Sequence, residues 1–319
     1  MTIAIAWIRQ LSKFEELVFV SDSRLSGDGF NFDACPKILS LSRTDCAISF
    51  AGDTGQAFPM MLQLGRSIDA YAPSRRGGVK LSAVKQHALK VFDKMYTQRS
   101  QSPLIHGSFE DLRRPTFLFG GYSWFRKRFQ LWTISYSEKK GKFEAHPASW
   151  ACYLEEFGKV RLRREHSRTG TRSLGQIAFA GDQAPIARER LFECLAAKRA
   201  SSIDFEPFEI VRDMLRDANH SETIGGVPQV VKVYQYMNTA PLAVYWPRKD
   251  SENSPIYLEG RLCLDYENID RWVLDPDTFV SESTNYSGQV DDEIDWSVNN
   301  GEEEQEDLDG GSDDATGEE

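Results

Sequence analysis

The sequence Met1-Thr2-Ile3-Ala4-Ile5-Ala6 opens the chain, and Thr2 is its first candidate functional residue. Removal of Met1 would leave Thr2 with a hydroxyl nucleophile and a free α-amine on one residue. A hydroxyl is a weak nucleophile at its own pKa, and an N-terminal amine with a pKa of roughly 7.7 to 8 can accept its proton near neutral pH. The alternating small and β-branched apolar residues after Thr2 predict a strand. These residues therefore indicate a nucleophile and a base at the start of a strand.

Three further segments follow at short intervals. Residues 17–21 form a continuous apolar run, which is typical of a strand covered on both faces, and they lead into Asp22-Ser23-Arg24. Lys37 opens the next predicted strand after Pro36, and residues 45–51 form another that runs into Gly52. Apolar residues then recur at helical spacing behind Asp53 or Thr54, either of which can cap the helix.

This order resembles the proteasome β-subunit and HslV family of N-terminal nucleophile hydrolases. The resemblance covers residues 2–245 and is most specific over the first 60. It implies an α/β fold in residues 1–250, a four-layer αββα sandwich with two sheets face to face and helices outside. The later succession of predicted strands and paired helices fits a helical layer on a sheet, but it does not distinguish this layout from other α/β arrangements.

The resemblance also implies roles for individual residues. Thr2 would be the nucleophile, and Lys37 would lie beside its hydroxyl and lower its pKa by charge, with Asp22 paired to the lysine. The backbone N–H of Gly52 would stabilise the oxyanion. The alternative interpretations are a surface salt bridge for Asp22 and Lys37 and a tight turn for Gly52.

Two later segments depart from the family pattern. Ala180-Gly181-Asp182 stands where the family usually has Gly-Ser-Gly, and Asp182 is a candidate acceptor for the α-ammonium of Thr2. Ser221-Glu222-Thr223-Ile224-Gly225-Gly226 keeps the paired glycines of the family but lacks its Asp and Ser. Glu222 either replaces that carboxylate or is a surface residue.

The same resemblance places four residues around the side chain that precedes the scissile bond: Leu25, Cys35, Phe50 and Thr54. Their character predicts a preference for a medium-sized apolar side chain in the substrate.

The leading functional hypothesis is a threonine endopeptidase that cleaves proteins or peptides through Thr2. The resemblance implies a homo-oligomeric ring and an AAA+ ATPase as unfoldase partner. Two alternatives stay open: an amidase for a small molecule with the same chemistry, and a catalytically inactive scaffold subunit, which the changes at Asp182 and Ser221 favour. Neither a cofactor nor a metal is predicted.

Charge and cysteine usage bound the remaining possibilities. Residues 281–319 contain 15 of the 48 acidic residues and none of the 38 basic ones, which predicts a disordered acidic tail. Residues 251–280 form a β-rich appendage in this interpretation. Five cysteines without metal-ligand spacing indicate reduced thiols, and no run of ~18 apolar residues is present, so a cytoplasmic protein without a membrane segment is expected.

An arginine-rich segment, 160–172, is predicted to be a mobile basic loop. It lacks interleaved aromatic residues and any known reader fold, so nucleic acid is not predicted as a partner.

Overall fold

The computed structural model describes residues 2–27, 30–98, 114–164, 171–218, 223–236, 238–250, 254–264, 266–267 and 269–283. Within these ranges the chain is a mixed α/β protein with mostly antiparallel sheets. The five helices of the described residues are α1 (Thr54–Asp69), α2 (Ala72–Arg75), α3 (Leu81–Thr97), α4 (Ala184–Ala197) and α5 (Glu206–Asp217). No helix in those ranges is long and apolar enough to cross a bilayer.

The strands of the first half are β1 (Ile3–Gln10), β2 (Glu15–Ser21), β3 (Leu25–Gly27), β4 (Phe30–Phe32), β5 (Ile38–Ser40), β6 (Cys46–Ala51), β7 (Thr116–Ser123), β8 (Arg128–Ser137) and β9 (Lys142–Pro147). Those of the second half are β10 (Ser149–Leu154), β11 (Lys159–Arg163), β12 (Thr171–Gly181), β13 (Gln229–Tyr234), β14 (Asn238–Tyr245), β15 (Ile256–Leu258), β16 (Arg261–Leu262), β17 (Trp272–Leu274) and β18 (Ser281–Ser283).

Two sheets contain most of these strands. The larger has the order β11-β10-β12-β1-β2-β13-β14-β15-β16, with β17 and β18 attached beside β14. The smaller has the order β5-β6-β7-β8-β9, and β3 pairs only with β4. Strand β1 is therefore central, hydrogen-bonded to β2 on one side and β12 on the other.

The core divides according to the two faces of each sheet. Successive residues of a strand point to opposite faces, and in β1 Ile5 and Trp7 pack with α4 and α5 while Ala4 and Ala6 face the smaller sheet. The outer face of the smaller sheet packs against α1 and α3, where Phe92 stacks on Phe117 at 4.5 Å between ring centroids. Burial on both faces explains the unbroken apolar runs 3–8 in β1 and 17–20 in β2.

The C-terminal strands continue the larger sheet. Strand β15 pairs antiparallel with β14, β17 pairs parallel with it, and a small cluster around Tyr245 and Val273 packs beneath them. The turn at Gly260 reaches Ser23, because a Cβ at Gly260 would lie 2.6 Å from the Ser23 Cβ. Of the predicted acidic tail, residues 284–319 lie outside the described ranges.

The prediction of a mobile loop over 160–172 is wrong at both ends. Strand β11 covers Lys159–Arg163 and β12 begins at Thr171. The arginines alternate there with Val160, which is buried, and Leu162, which packs on the core, so the segment has the two-residue period of a strand. Residues 165–170 lie outside the described ranges.

Candidate active site

The pairing of β1 with both neighbours brings three functional residues together. Ile3 lies opposite Gly181 on β12, and Ala4 lies opposite Ser21 on β2. Thr2, at the start of β1, is consequently next to Asp22 and Asp182, which follow the last residues of those strands. Antiparallel pairing places the start of one strand beside the ends of its two neighbours.

Lys37 connects this group to the smaller sheet. Its Nζ donates to the Thr2 Oγ1 at 2.9 Å and to Asp22 Oδ1 at 2.9 Å. Lys37 and Asp22 are both 0% exposed and Thr2 is 1% exposed. A buried lysine ammonium is stable only when it is paired and hydrogen-bonded. The surface salt bridge considered for this pair is thus wrong.

Asp22 is held by backbone as well as by lysine. Its Oδ1 accepts from the Ile3 N–H at 3.1 Å, and its Oδ2 accepts from the Arg24 N–H at 3.2 Å. Burial raises the pKa of the Asp22 carboxyl, and the Lys37 ammonium together with these N–H donors opposes that rise. The carboxylate is therefore fixed in orientation and keeps Lys37 aimed at the threonine.

Asp182 contacts the other functional atom of Thr2. Its Oδ1 accepts from the Thr2 N–H at 2.8 Å, and its Oδ2 accepts from the Thr223 hydroxyl at 3.0 Å. Gln183 Nε2 in turn donates to Thr223 Oγ1 at 3.2 Å. In the chain with Met1 present, the Thr2 nitrogen is a peptide amide that occupies the place of the α-amine. The predicted acceptor role of Asp182 fits this geometry.

The backbone of Lys37 is anchored from two sides. Its N–H donates to Gln229 Oε1 at 2.9 Å, and the Gln229 amide also donates to the Cys35 carbonyl at 2.5 Å. Its carbonyl accepts from the Phe50 N–H at 3.2 Å. These contacts fix the start of β5 between β13 of the larger sheet and β6 of the smaller one.

Arg24 braces the segment that carries Asp22. Its guanidinium forms a bidentate pair with Asp33, at 2.6 and 2.9 Å, and donates to the Ile224 carbonyl at 3.2 Å. It also leaves no space beside Gly225, where a Cβ would lie 2.2 Å from the guanidinium carbon. The first of the two retained glycines is thus required for close packing against Arg24.

Gly181, at the end of β12, and Gly52, after β6, both have positive φ. Gly181 has φ +107°, and a Cβ there would lie 1.8 Å from the Thr2 carbonyl oxygen, so only glycine fits. Gly52 also has φ +107° and separates β6 from α1, whose first turn is capped by Asp53 accepting from the Gln56 N–H at 2.8 Å. The tight-turn interpretation of Gly52 is confirmed. Its N–H lies in the segment that Phe50 ties to Lys37.

The four predicted substrate-binding residues lie in different environments. Phe50 is fully buried and packs edge-on to Phe58, at 6.5 Å between centroids, within the core beneath α1 and α3. Cys35 is 5% exposed, and burial raises the pKa of its thiol. Leu25 and Thr54 are half-buried.

Three residues of this network lack a local sequence signal. Gln229 and Thr223 were not predicted, and Ser21, which donates to the Ile3 carbonyl at 2.9 Å, was assigned only to its strand. Ser221 and Glu222 lie outside the described residues. Within those residues no group of three or more His, Cys, Asp or Glu side chains could hold a metal ion.

Comparison of the chain with models of known protein families and with curated proteins gave no match. The site must therefore be interpreted from its own geometry and from the residue order described above.

Proposed function

We propose that this chain is an N-terminal threonine hydrolase that cleaves peptide bonds through Thr2 after removal of Met1. The observation that carries the proposal is the buried Lys37 ammonium, which lies 2.9 Å from both the Thr2 Oγ1 and Asp22 Oδ1. A buried cation that shares its hydrogen bonds between a carboxylate and a hydroxyl lowers the cost of forming an alkoxide there.

In the proposed reaction the Thr2 Oγ attacks the carbonyl carbon of the substrate. The free α-amine takes the hydroxyl proton and later returns it to the departing amine, while Lys37 stabilises the developing charge on oxygen. The Gly52 N–H is the proposed donor to the carbonyl oxygen as it becomes an oxyanion. Water then attacks the ester on Thr2, and the acid product leaves.

Asp182 orients the amine in this scheme. A carboxylate 2.8 Å from the Thr2 nitrogen would accept a hydrogen bond from the α-amine and hold it beside the hydroxyl. Thr223 fixes the second oxygen of that carboxylate. We infer that this pair takes the place of the serine that the resembling family has at this position.

The fold supports the same assignment. Three core clusters, one between the two sheets and one between each sheet and its helices, support a four-layer αββα sandwich of the N-terminal nucleophile hydrolase type.

By the same resemblance, the proposed protein assembles into a ring of identical subunits and has an AAA+ ATPase as partner. Tyr236, 81% exposed, and Phe125, 60% exposed, are apolar groups suited to subunit contacts. A cytoplasmic location is in keeping with five free cysteines.

An inactive scaffold subunit is the second candidate. Replacement of the family serine by Asp182 favours it, whereas the complete contact set of Thr2, Asp22 and Lys37 opposes it. A buried lysine aimed at a hydroxyl costs desolvation energy and adds nothing to a scaffold that an apolar residue would not.

The test is hydrolysis of fluorogenic peptides by the purified chain, with Thr2→Ala as control. The proposal predicts turnover that Thr2→Ala abolishes, and a preference for medium-sized apolar residues before the scissile bond. Absence of turnover of peptides and of casein, or equal turnover by Thr2→Ala, would contradict it. Cleavage of small amides with casein and peptides left intact would favour the amidase instead.

A further inference from the structure

A cleft lies at the opposite end of β1 from Thr2. Its cavity volume is about 480 Å³. Ile8 and Gln10 at the end of β1 contribute to it, so it lies roughly 20 to 25 Å along that strand from the candidate active site. The start of α3, the first part of β8 with the turn before it, and residues of β9, β10 and β12 form the rest of its walls.

Positive charge in this cleft is not balanced by carboxylates. Lys85, Arg126 and Arg128 line it, and Glu15 is the single acidic residue among its lining side chains. Glu15 accepts from Gln10 Nε2 at 3.3 Å. Within the described part of the chain, none of the three cations forms an ion pair with a carboxylate.

Lys85 shows the effect of this imbalance. Its ammonium lies 5.2 Å from the centroid of the Trp132 ring. Burial lowers the pKa of Lys85, and the charge of Arg126 lowers it further. Bringing an anion into the cleft would stabilise both cations, because Lys85 is half-buried and the charge of Arg126 acts on it.

Two further features of the walls suit a phosphate group. Helix α3 begins at Leu81 without a side-chain cap from Lys80 and without an acidic residue in its first turn, and Ser82 in that turn lines the cleft. The N–H groups of a helix start that lacks a side-chain cap favour an anion, and guanidinium groups bind phosphate oxygens in a bidentate manner.

The remaining walls suit a flat ring with hydrogen-bond donors. Trp132 and Trp150 line the cleft. Gln130 lines it as well, and its Oε1 is buried without a hydrogen-bond partner among the described residues. A buried acceptor without a donor is costly, so a ligand N–H or O–H would be favoured there.

We propose that this cleft binds a phosphorylated small molecule of the nucleotide class. Cations and the α3 terminus would contact the phosphates, while Trp150 and Gln130 would contact the base or sugar. Binding needs no reaction at Thr2, so the proposal is independent of the function proposed above.

The test is titration of the full chain with ATP and, separately, with inorganic pyrophosphate, monitored by tryptophan fluorescence and by calorimetry. We expect saturable binding that weakens as salt increases. The Lys85→Gln/Arg126→Gln variant should bind at least tenfold more weakly. The control, Lys90→Gln/Lys139→Gln, removes the same charge from exposed positions outside the cleft and should bind as the parent does.

Thr2→Ala should leave ATP binding unchanged, which separates this result from failure of the hydrolase proposal. Absence of saturable binding of both probes, or equal weakening by the two double variants, would overturn the inference. Far-ultraviolet circular dichroism of each variant would establish that it is folded.

Discussion

Two buried ion pairs in the first 45 residues differ in what else the cation of each pair contacts. Arg43 and Asp45 form a bidentate pair, at 2.5 and 2.7 Å, with both side chains essentially unexposed. Lys37 and Asp22 are equally buried, but the lysine also donates to the Thr2 hydroxyl.

The difference lies in where the remaining hydrogen bonds go. Arg43 directs a further N–H to the Val79 carbonyl at 3.2 Å, so both partners are satisfied by each other and by backbone. Lys37 directs its other bond to a side chain that could react. We propose that the Arg43 pair only holds a turn in place, whereas the Lys37 pair adjusts the reactivity of the Thr2 hydroxyl.

The largest expected effect comes from breaking the Lys37 pair. Lys37→Gln should lower kcat/KM for peptide hydrolysis by about a thousandfold or more, because the charge beside the Thr2 hydroxyl is lost. Steady-state kinetics on the folded variant measures this. Asp22→Asn/Lys37→Gln removes both charges and should be equally inactive, which excludes an unpaired buried Asp22 as the cause. Near-parental activity in either variant would contradict the assigned role.

Breaking the Arg43 pair should affect stability instead. Arg43→Ala leaves Asp45 buried and unpaired, and we expect a loss of about 3 to 5 kcal/mol in the free energy of unfolding. Activity per folded molecule should stay within about twofold of the parent, since no contact to the site is removed. Denaturant unfolding and kinetics on the same sample test both statements. A thousandfold loss of activity in a stably folded Arg43→Ala would remove the distinction between the pairs.

Asp182→Asn removes a negative charge next to the Thr2 nitrogen, whereas Lys37→Gln removes a positive charge next to its hydroxyl. In the proposed mature chain this carboxylate would favour the charged form of the α-amine, which cannot act as base. Without that charge, the acid limb of the kcat/KM profile should move to lower pH, with a loss of about tenfold in the plateau rate from poorer orientation. An unchanged limb would show that Asp182 does not contact the amine in the active form.

The smallest effect is expected at Thr223. Thr223→Val removes the hydrogen bond to Asp182 Oδ2, worth about 0.5 to 1.5 kcal/mol, and should lower kcat/KM by about two- to tenfold. Thr239→Val is the matched control, since that hydroxyl donates to the Thr44 carbonyl away from the site. Equal losses in both variants would assign Thr223 a structural role only.

The sequence predicted the parts of the site that depend on nearby strands. Thr2, Asp22 and Lys37 lie at the ends of three consecutive predicted strands, where short spacings restrict the geometry. The prediction that Asp53 or Thr54 caps α1 is confirmed for Asp53. Thr223 and Gln229 were missed because each meets the site through contacts about 40 to 190 residues away in sequence, which no local pattern encodes.

The wrong prediction over 160–172 has a different cause. The dense arginines favour a loop, whereas the alternation of Val160 and Leu162 with them is that of a strand. An edge strand such as β11 tolerates exposed charge. Strand β10 (Ser149–Leu154) in the same region is not predicted either. Pairing of β10 with β12 and of β11 with β10 fixes both strands.

Whether Thr2, freed of Met1, is the nucleophile is tested most directly by intact mass. The purified chain is weighed before and after reaction with a threonine-directed epoxyketone or β-lactone. The account predicts a mass lacking Met1, a single adduct that peptide mapping places on Thr2, and no adduct on Lys37→Gln. A chain that retains Met1, or an adduct confined to other residues, would contradict it.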